Sequence, residues 1–277
     1  PVIFHMENEE WYLKKETGRL ERSQVNAYCA TKEDIKSMVK FISSYSLYAY
    51  EDEMKRGFIT MQGGHRIGVA GQVVMDGGKV LSLSNIYFLN IRVAREKRGC
   101  AKDIIPYLIH RNNIYNTLFV SPPGIGKTTY LRDAIRILSN GSDRLHGMKI
   151  SIIDERSEIA ACRQGIPQND IGIRSDVLDG CLKSFGMLLM LRSMAPQIIA
   201  VDEIGSREDC RAMEQAIYSG SRIIGTVHAY DMKELSRKKY LKEMLEQQMF
   251  GRIVLLEKAE NGRRRFHIYD ENLEKIC

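Results

Sequence analysis

Residues 121–129 (SPPGIGKTT) carry the clearest chemistry in this sequence. They follow the apolar run 117–120 and precede a helical pattern with Leu131, Ala134, Ile135 and Leu138 on one face. A strand, a glycine-bearing loop and a helix start, in that order, make an anion cradle. Backbone N–H groups and the helix N-terminus receive phosphate, and glycine lets the backbone approach closely. The pattern G-x-x-x-x-G-K-[ST] is met at Gly126, Lys127 and Thr128, with Ser121 standing where the first glycine is usual. Pro123, Gly124, Ile125, Gly126, Lys127, Thr128 and Thr129 are therefore the expected nucleotide contacts. Lys127 is expected to reach the β- and γ-phosphates and Thr128 to offer its hydroxyl to Mg2+, so ATP and Mg2+ are the expected ligands.

A cradle binds phosphate, but hydrolysis needs acids beside it. Residues 198–201 are four apolar residues, a buried-strand pattern, and Asp202 and Glu203 follow at its end. In doubly wound sheets such strand ends lie next to the cradle. Asp202 is expected to hold Mg2+ and Glu203 to polarise the attacking water. A second acidic strand end follows 150–153, where Asp154, Glu155 and Glu158 offer three carboxylates within five residues. By charge pattern alone they read as a solvated loop. Beside a Mg·ATP site they would position metal and water. Thr226-Val227-His228 ends another apolar run at the same edge, where an imidazole could hydrogen-bond the γ-phosphate.

These groups need a scaffold that gathers separate strand ends. From Asn116 onward, apolar runs at 117–121, 149–153, 198–202 and 222–226 alternate with helical patterns at 127–138 and 207–218. That alternation predicts a parallel sheet with helices on its faces. Runs at 252–257 and 265–269, parted by Asn261-Gly262, predict a closing hairpin. Upstream, Thr31-x-x-Asp34 opens a helix carrying Ile35, Met38, Val39 and Ile42, and a second helix is predicted over 48–55, stopped by Gly57. Runs at 58–61, 67–75 and 80–93, separated by Gly63-Gly64 and Gly77-Gly78, predict a strand meander. The expected organisation is an α+β domain over 1–110 and an α/β phosphate-binding domain over 111–277.

Composition agrees with such a protein. The chain has 277 residues, 44% hydrophobic and 27% charged, enough for one or two packed domains. A net charge of +6 favours anionic ligands without the profile of a dedicated nucleic-acid binder. The six cysteines, Cys29, Cys100, Cys162, Cys181, Cys210 and Cys277, form no C-x-x-C pair and no zinc spacing with histidine, which is expected of reduced thiols in the cytosol. No run reaches the ~18 apolar residues of a membrane span. The nearest, 187–201, is broken by Arg192 and Pro196. No signal peptide opens the sequence, and a first residue of Pro is expected of a trimmed chain. Any work at a membrane is expected to go through protein partners.

The motif order is cradle, acidic strand end at Asp154, acidic strand end at Asp202, then Thr226-x-His228. It resembles the secretion and type IV pilus ATPases, where these are called Walker A, Asp box, Walker B and His box. The resemblance to the stage III sporulation protein AA family, ATPases of the mother-cell machinery of endospore-forming bacteria, is closer and spans almost the whole chain. It is carried by 154–159 (DERSEI), 165–179 (GIPQNDIGIRSDVLD), 191–196 (LRSMAP), 201–205 (VDEIG), 62–71 (QGGHRIGVAG) and 89–96 (LNIRVARE). It implies a RecA-like P-loop ATPase core preceded by a smaller α+β domain. It also implies a cytosolic homohexamer, docked on membrane proteins of the same sporulation complex and energising a channel or secretion-like machine. By the same resemblance Arg92 and Arg95 would reach a nucleotide across a subunit boundary, and Arg192, in the pattern Leu-Arg-x-x-x-Pro, and Arg174 would join them. Two residues depart from the secretion ATPases: Asp202 stands where Gly is common, and Arg156 where Pro is common. No tetracysteine zinc module is visible.

Two other functions fit the same core. One is a nucleic-acid-stimulated motor, invited by Arg263-Arg264-Arg265, although no aromatic-interleaved basic stripe accompanies that run. The other is an ATP-gated scaffold with little turnover.

Overall fold

The chain divides into two units, Pro1–Ala94 and Arg95–Cys277. The structure is a computed structural model and describes all residues except 7–8, 44–49, 56, 95, 143–144 and 260–263. In the first unit β1 (Ile3–Met6), β2 (Glu9–Leu13) and β3 (Leu20–Glu21) form an antiparallel sheet. Helix α1 (Lys32–Ile42) starts where the sequence predicts. The Thr31 hydroxyl accepts from the Asp34 N–H, and the Asp34 carboxylate accepts from the Thr31 N–H. Helix α2 (Glu51–Lys55) is shorter than the predicted 48–55, of which 48 and 49 lie outside the described residues. Strands β4 (Phe58–Thr60), β5 (Arg66–Asp76) and β6 (Lys79–Arg92) are the predicted meander. Ile42, Tyr50, Met54, Ile59, Ile67 and Val69 form the core of this unit.

The second unit opens with α3 (Ile105–Leu108), β7 (Ile109–His110) and β8 (Asn113–Ile114). The sheet that follows alternates strands and helices: β9 (Thr117–Ser121), α4 (Lys127–Asn140), β10 (Ile150–Asp154), β11 (Ser175–Asp179), α5 (Lys183–Met194), β12 (Ile198–Val201), α6 (Arg207–Tyr218) and β13 (Arg222–His228). Helices α7 (Met232–Arg237) and α8 (Lys239–Glu246) precede β14 (Arg252–Lys258) and β15 (Arg264–Tyr269). The strand order is β11-β10-β12-β13-β9-β14-β15. Every pairing is parallel except the antiparallel β14–β15 hairpin, whose turn at Asn261-Gly262 lies outside the described residues.

The central strands are covered on both faces. Phe119, Ile152 and Ala200 face one core cluster with Leu131, Ile135 and Leu138 of α4. Leu118, Val120, Ile199 and Val201 face the other, with Met187, Met213 and Met244 from α5, α6 and α8. Burial on both faces explains why these strands read as unbroken apolar runs. Each fully buried Leu, Ile or Phe there contributes roughly 1.5–3 kcal/mol.

One expectation changes. Residues 95–110 belong with the second unit rather than the first, because Ala101, Ile104, Ile105 and Leu108 pack in the core under α4. Asp133 of α4 ties them down by accepting from the N–H groups of Gly99 (3.0 Å) and Ala101 (2.8 Å). The apolar stretch 187–201 is the end of α5, a turn and β12. Among the described residues no helix is long and apolar enough to cross a membrane.

Candidate functional site

Strand β9 delivers the chain to the sheet's carboxyl edge, and α4 departs from it at Lys127. Gly126 caps α4 with φ 103° and Gly124 has φ 79°, backbone values that L side chains rarely adopt. Ser121 takes the first-glycine position without strain because it is still a strand residue. It is fully buried, paired across the ladder with His228, and its hydroxyl donates to the Pro122 carbonyl at 2.8 Å. That pairing sets His228 at the mouth of the loop.

The parallel register brings the acids to the same edge. Val201 pairs with Gly225 and Val227 with Val120, so the residues after β12, the end of β13 and the loop after β9 meet. The Thr128 hydroxyl donates to Asp202 Oδ2 at 2.7 Å. The Thr226 hydroxyl donates to Asp202 Oδ1 and accepts from the Glu203 N–H at 2.9 Å. Glu203 sits at φ 51°, a strained value for a residue with a side chain, and its N–H contacts to Thr226 and Asp202 (3.0 Å) hold it there.

The Glu203 carboxylate is ringed by three basic side chains. Oε1 lies 3.0 Å from His228 Nε2 and 3.5 Å from Lys127 Nζ, and Oε2 accepts from Arg156 Nη1 at 2.6 Å. Burial pushes this carboxyl up, but the His228 hydrogen bond and the charges of Lys127 and Arg156 outweigh it and hold it below its ordinary value. His228 Nε2 is also 2.9 Å from Lys127 Nζ. One ring nitrogen either accepts from the ammonium or donates to Glu203, so His228 is a two-way link between cradle and acid. Lys127 is only 5% exposed.

The other predicted residues divide by position. Asp154 is 1% exposed and faces its own loop. Its carboxylate accepts from the N–H groups of Glu158 (2.8 Å), Ile159 (3.0 Å) and Ala160 (2.8 Å). Burial pushes its pKa up to about 6 against those three donors. Arg132 of α4 donates to the Glu158 and Ile159 carbonyls, fixing the loop from the other side. Glu158 thus joins the loop through its backbone, while Glu155 pairs with Lys183 of α5. Arg174 caps the far end of α4, donating to the Ser139 and Asn140 carbonyls at 3.0 and 3.2 Å. Arg192 is exposed on the last turn of α5, just before β12 begins, which is the sheet edge opposite the cradle. Arg92 is the exposed last residue of β6 in the first unit, and Arg95 lies outside the described residues.

The family model described as Sporulation stage III, protein AA matches residues 4–276. The chain belongs to that family. Stage III sporulation protein AA of Bacillus subtilis (strain 168) is 42% identical over 246 residues, 89% of this chain and 80% of that protein. An uncharacterized protein ycf45 of Cyanidium caldarium is 32% identical over 155 residues, 55% of this chain and 44% of that one. Among solved structures, the pilus retraction motor PilT with bound ADP has a TM-score of 0.59 at 16% identity, over 94% of this chain and 75% of that one. The Legionella pneumophila ATPase DotB has a TM-score of 0.55 at 16% identity, over 96% and 74%. At such identities the likeness shows the fold, a RecA-like P-loop ATPase core of the secretion and pilus type.

In this member of the sporulation family, two groups at the site carry roles that its sequence did not disclose. Thr226 links Asp202 to the Glu203 backbone, and only its place in the Thr226-x-His228 pattern pointed to it. Arg156 pairs with Glu203, and its one signal was that it stands where related ATPases carry Pro.

Proposed function

We propose that this chain is a Mg2+-dependent ATP hydrolase acting as a cytosolic homohexameric motor. It would dock through membrane proteins of the same sporulation complex at the mother-cell membrane and energise a channel or secretion-like machine. One observation carries the hydrolase: Lys127, Thr128, Asp202, Glu203 and His228 converge at a single sheet edge. The Lys127 ammonium, buried and within hydrogen-bond range of neighbouring groups, would donate to β- and γ-phosphate oxygens. The adjacent Thr128 hydroxyl and Asp202 carboxylate fit Mg2+, a hard cation bound by few protein oxygens together with substrate phosphates. When bound, Mg2+ neutralises charge on those phosphates. Glu203, kept ionised, would accept a proton from the attacking water. Phosphate oxygens compete with Glu203 and His228 for Lys127, so nucleotide entry would release the acid for its work.

Family membership supports the sporulation role, and the shared fold with a pilus retraction motor supports the motor reading. Arg192, placed away from its own cradle, would serve only a neighbouring copy, and Arg92 and Arg95 remain the arginines proposed to act across a subunit boundary. The test is phosphate release and native mass, each with and without Mg·ATP, on wild type, Lys127→Ala and Glu203→Gln. Release with a rise in mass, both lost in Lys127→Ala, is expected. Assembly without release would mean a scaffold, and release that requires DNA would mean a nucleic-acid motor.

A further inference from the structure

The basic run 263–265 has an obvious reading as a solvated hairpin tip, yet the exposed Arg264 side chain lies against Gly126 of the cradle. Alternation on β15 puts Arg264 on the same face as Phe266 and Ile268, which pack in the core cluster under α4. Arg265 and His267 take the opposite face. The result is visible at the cradle. A Cβ built on Gly126 would lie 3.1 Å from Cζ, Nη1 and Nη2 of Arg264 alike. Equal distances to three atoms of one plane mean that the glycine lies over the flat face of the guanidinium. The N–H edges of Arg264 are therefore turned sideways along the loop, and among the described residues it has no ion-pair or hydrogen-bond partner. Its charge is also felt at Cys100 and Tyr130, where it opposes the burial that pushes both pKa values up, which places it over the first turn of α4.

We propose that Arg264 is a nucleotide-binding residue that grips the α/β-diphosphate from the side of the cradle opposite the catalytic acids. The strand order carries the direction. Asp202 and Glu203 follow β12 and His228 ends β13, both strands on one side of β9, whereas β14 and β15 lie on the other. The acids mark the γ end, so Arg264 meets the part of the phosphate chain that ADP and ATP share. A planar guanidinium stacked on a glycine presents two parallel N–H donors to a phosphate. Glycine at 126 is required by its φ of 103°, and it leaves the guanidinium room to lie close to the loop backbone.

The inference rests on the P-loop reading above, and its test separates the two. Titration calorimetry with Mg·ADP and with a Mg-bound non-hydrolysable ATP analogue would be run on wild type, Arg264→Gln, Arg264→Lys and Arg265→Gln. Arg264 is exposed, and nucleotide-free melting on the same samples checks folding. Arg264→Gln should weaken both nucleotides alike, by about 10-fold or more. Arg264→Lys should recover part of that loss, and Arg265→Gln should bind as wild type. Wild-type ADP affinity in Arg264→Gln would overturn the proposal and leave Arg264 an anchor of the hairpin. Loss of the ATP analogue with ADP retained would overturn it in favour of a γ-end role. Failure of wild type to bind either nucleotide would overturn the P-loop reading, and this one with it.

Discussion

Asp154 is the predicted catalytic acid whose surroundings argue most strongly for another task, and its replacement gives a sharp test. Three N–H groups, those of Glu158 (half-buried), Ile159 and Ala160 (both buried), donate to this one carboxylate. Asp154→Ala orphans all three, at about 1–3 kcal/mol each. Against that, removing a carboxylate whose pKa is pushed up to about 6 recovers roughly 3 kcal/mol at neutral pH. The middle of the range is a net loss of about 3 kcal/mol, or a melting midpoint lower by roughly 6–12 °C for a unit of this size. Asp154→Asn keeps one acceptor oxygen and should fall between. The pH dependence has a definite sign. A folded-state pKa raised above the unfolded value gives a stabilisation that is complete below the unfolded pKa and lost as pH rises through about 6. The wild type therefore gains on Asp154→Ala as pH falls from 7 to 5, by about 1.4 kcal/mol. Thermal melts by circular dichroism at the two pH values, with phosphate release on the same samples, decide it. A melting midpoint unchanged in Asp154→Ala, with release down 100-fold, would refute the loop role and return Asp154 to the metal and water.

Three further outcomes are expected. Glu203→Gln should keep nucleotide affinity within about 2-fold and cut phosphate release by about 100-fold or more, and wild-type turnover would mean that the base lies elsewhere. Arg156→Ala should leave stability within ~0.5 kcal/mol, since the pair with Glu203 is solvent-facing on the arginine side, and should raise turnover by freeing Glu203. Unchanged turnover would show that the pair has no bearing on the reaction. Gly172→Ala should destabilise by roughly 2–4 kcal/mol in urea titration, because Gly172 has φ 85° and a Cβ there would lie 2.5 Å from Ser139 Cβ and 2.9 Å from the Arg136 carbonyl oxygen. A neutral result would mean that α4 and the 165–179 segment are less tightly apposed than these distances imply.

The cradle was legible because it is local. Strand, loop and helix start are contiguous from Thr117 to Asn140, and the need for glycine and lysine at fixed spacing shows in the residues themselves. Asp202, Glu203 and His228 were legible for a related reason: in a parallel sheet the ends of apolar strands gather at one edge, so an acid after such a run has few places to go. Helix α5 escaped notice because its apolar residues ring it, with Met187 and Met190 buried and Phe185 and Leu189 exposed, which leaves no single-faced period to read. The exposed-looking acids at 154–158 hid the opposite case. A carboxylate turned in toward its own loop and one turned out toward a metal have the same sequence.

What the sequence by itself determined, then, is a phosphate cradle with an acidic strand end on a parallel sheet, because each depends on neighbours within a few residues or on a periodic pattern. Only the tertiary structure decided which charges face one another. Lys127 with Glu203 and His228, Arg156 with Glu203, and Arg264 over Gly126 are pairings between segments far apart in the chain. Each depends on strand order and register, and those are set by how two hydrophobic faces are buried across the whole sheet rather than by any stretch of residues alone.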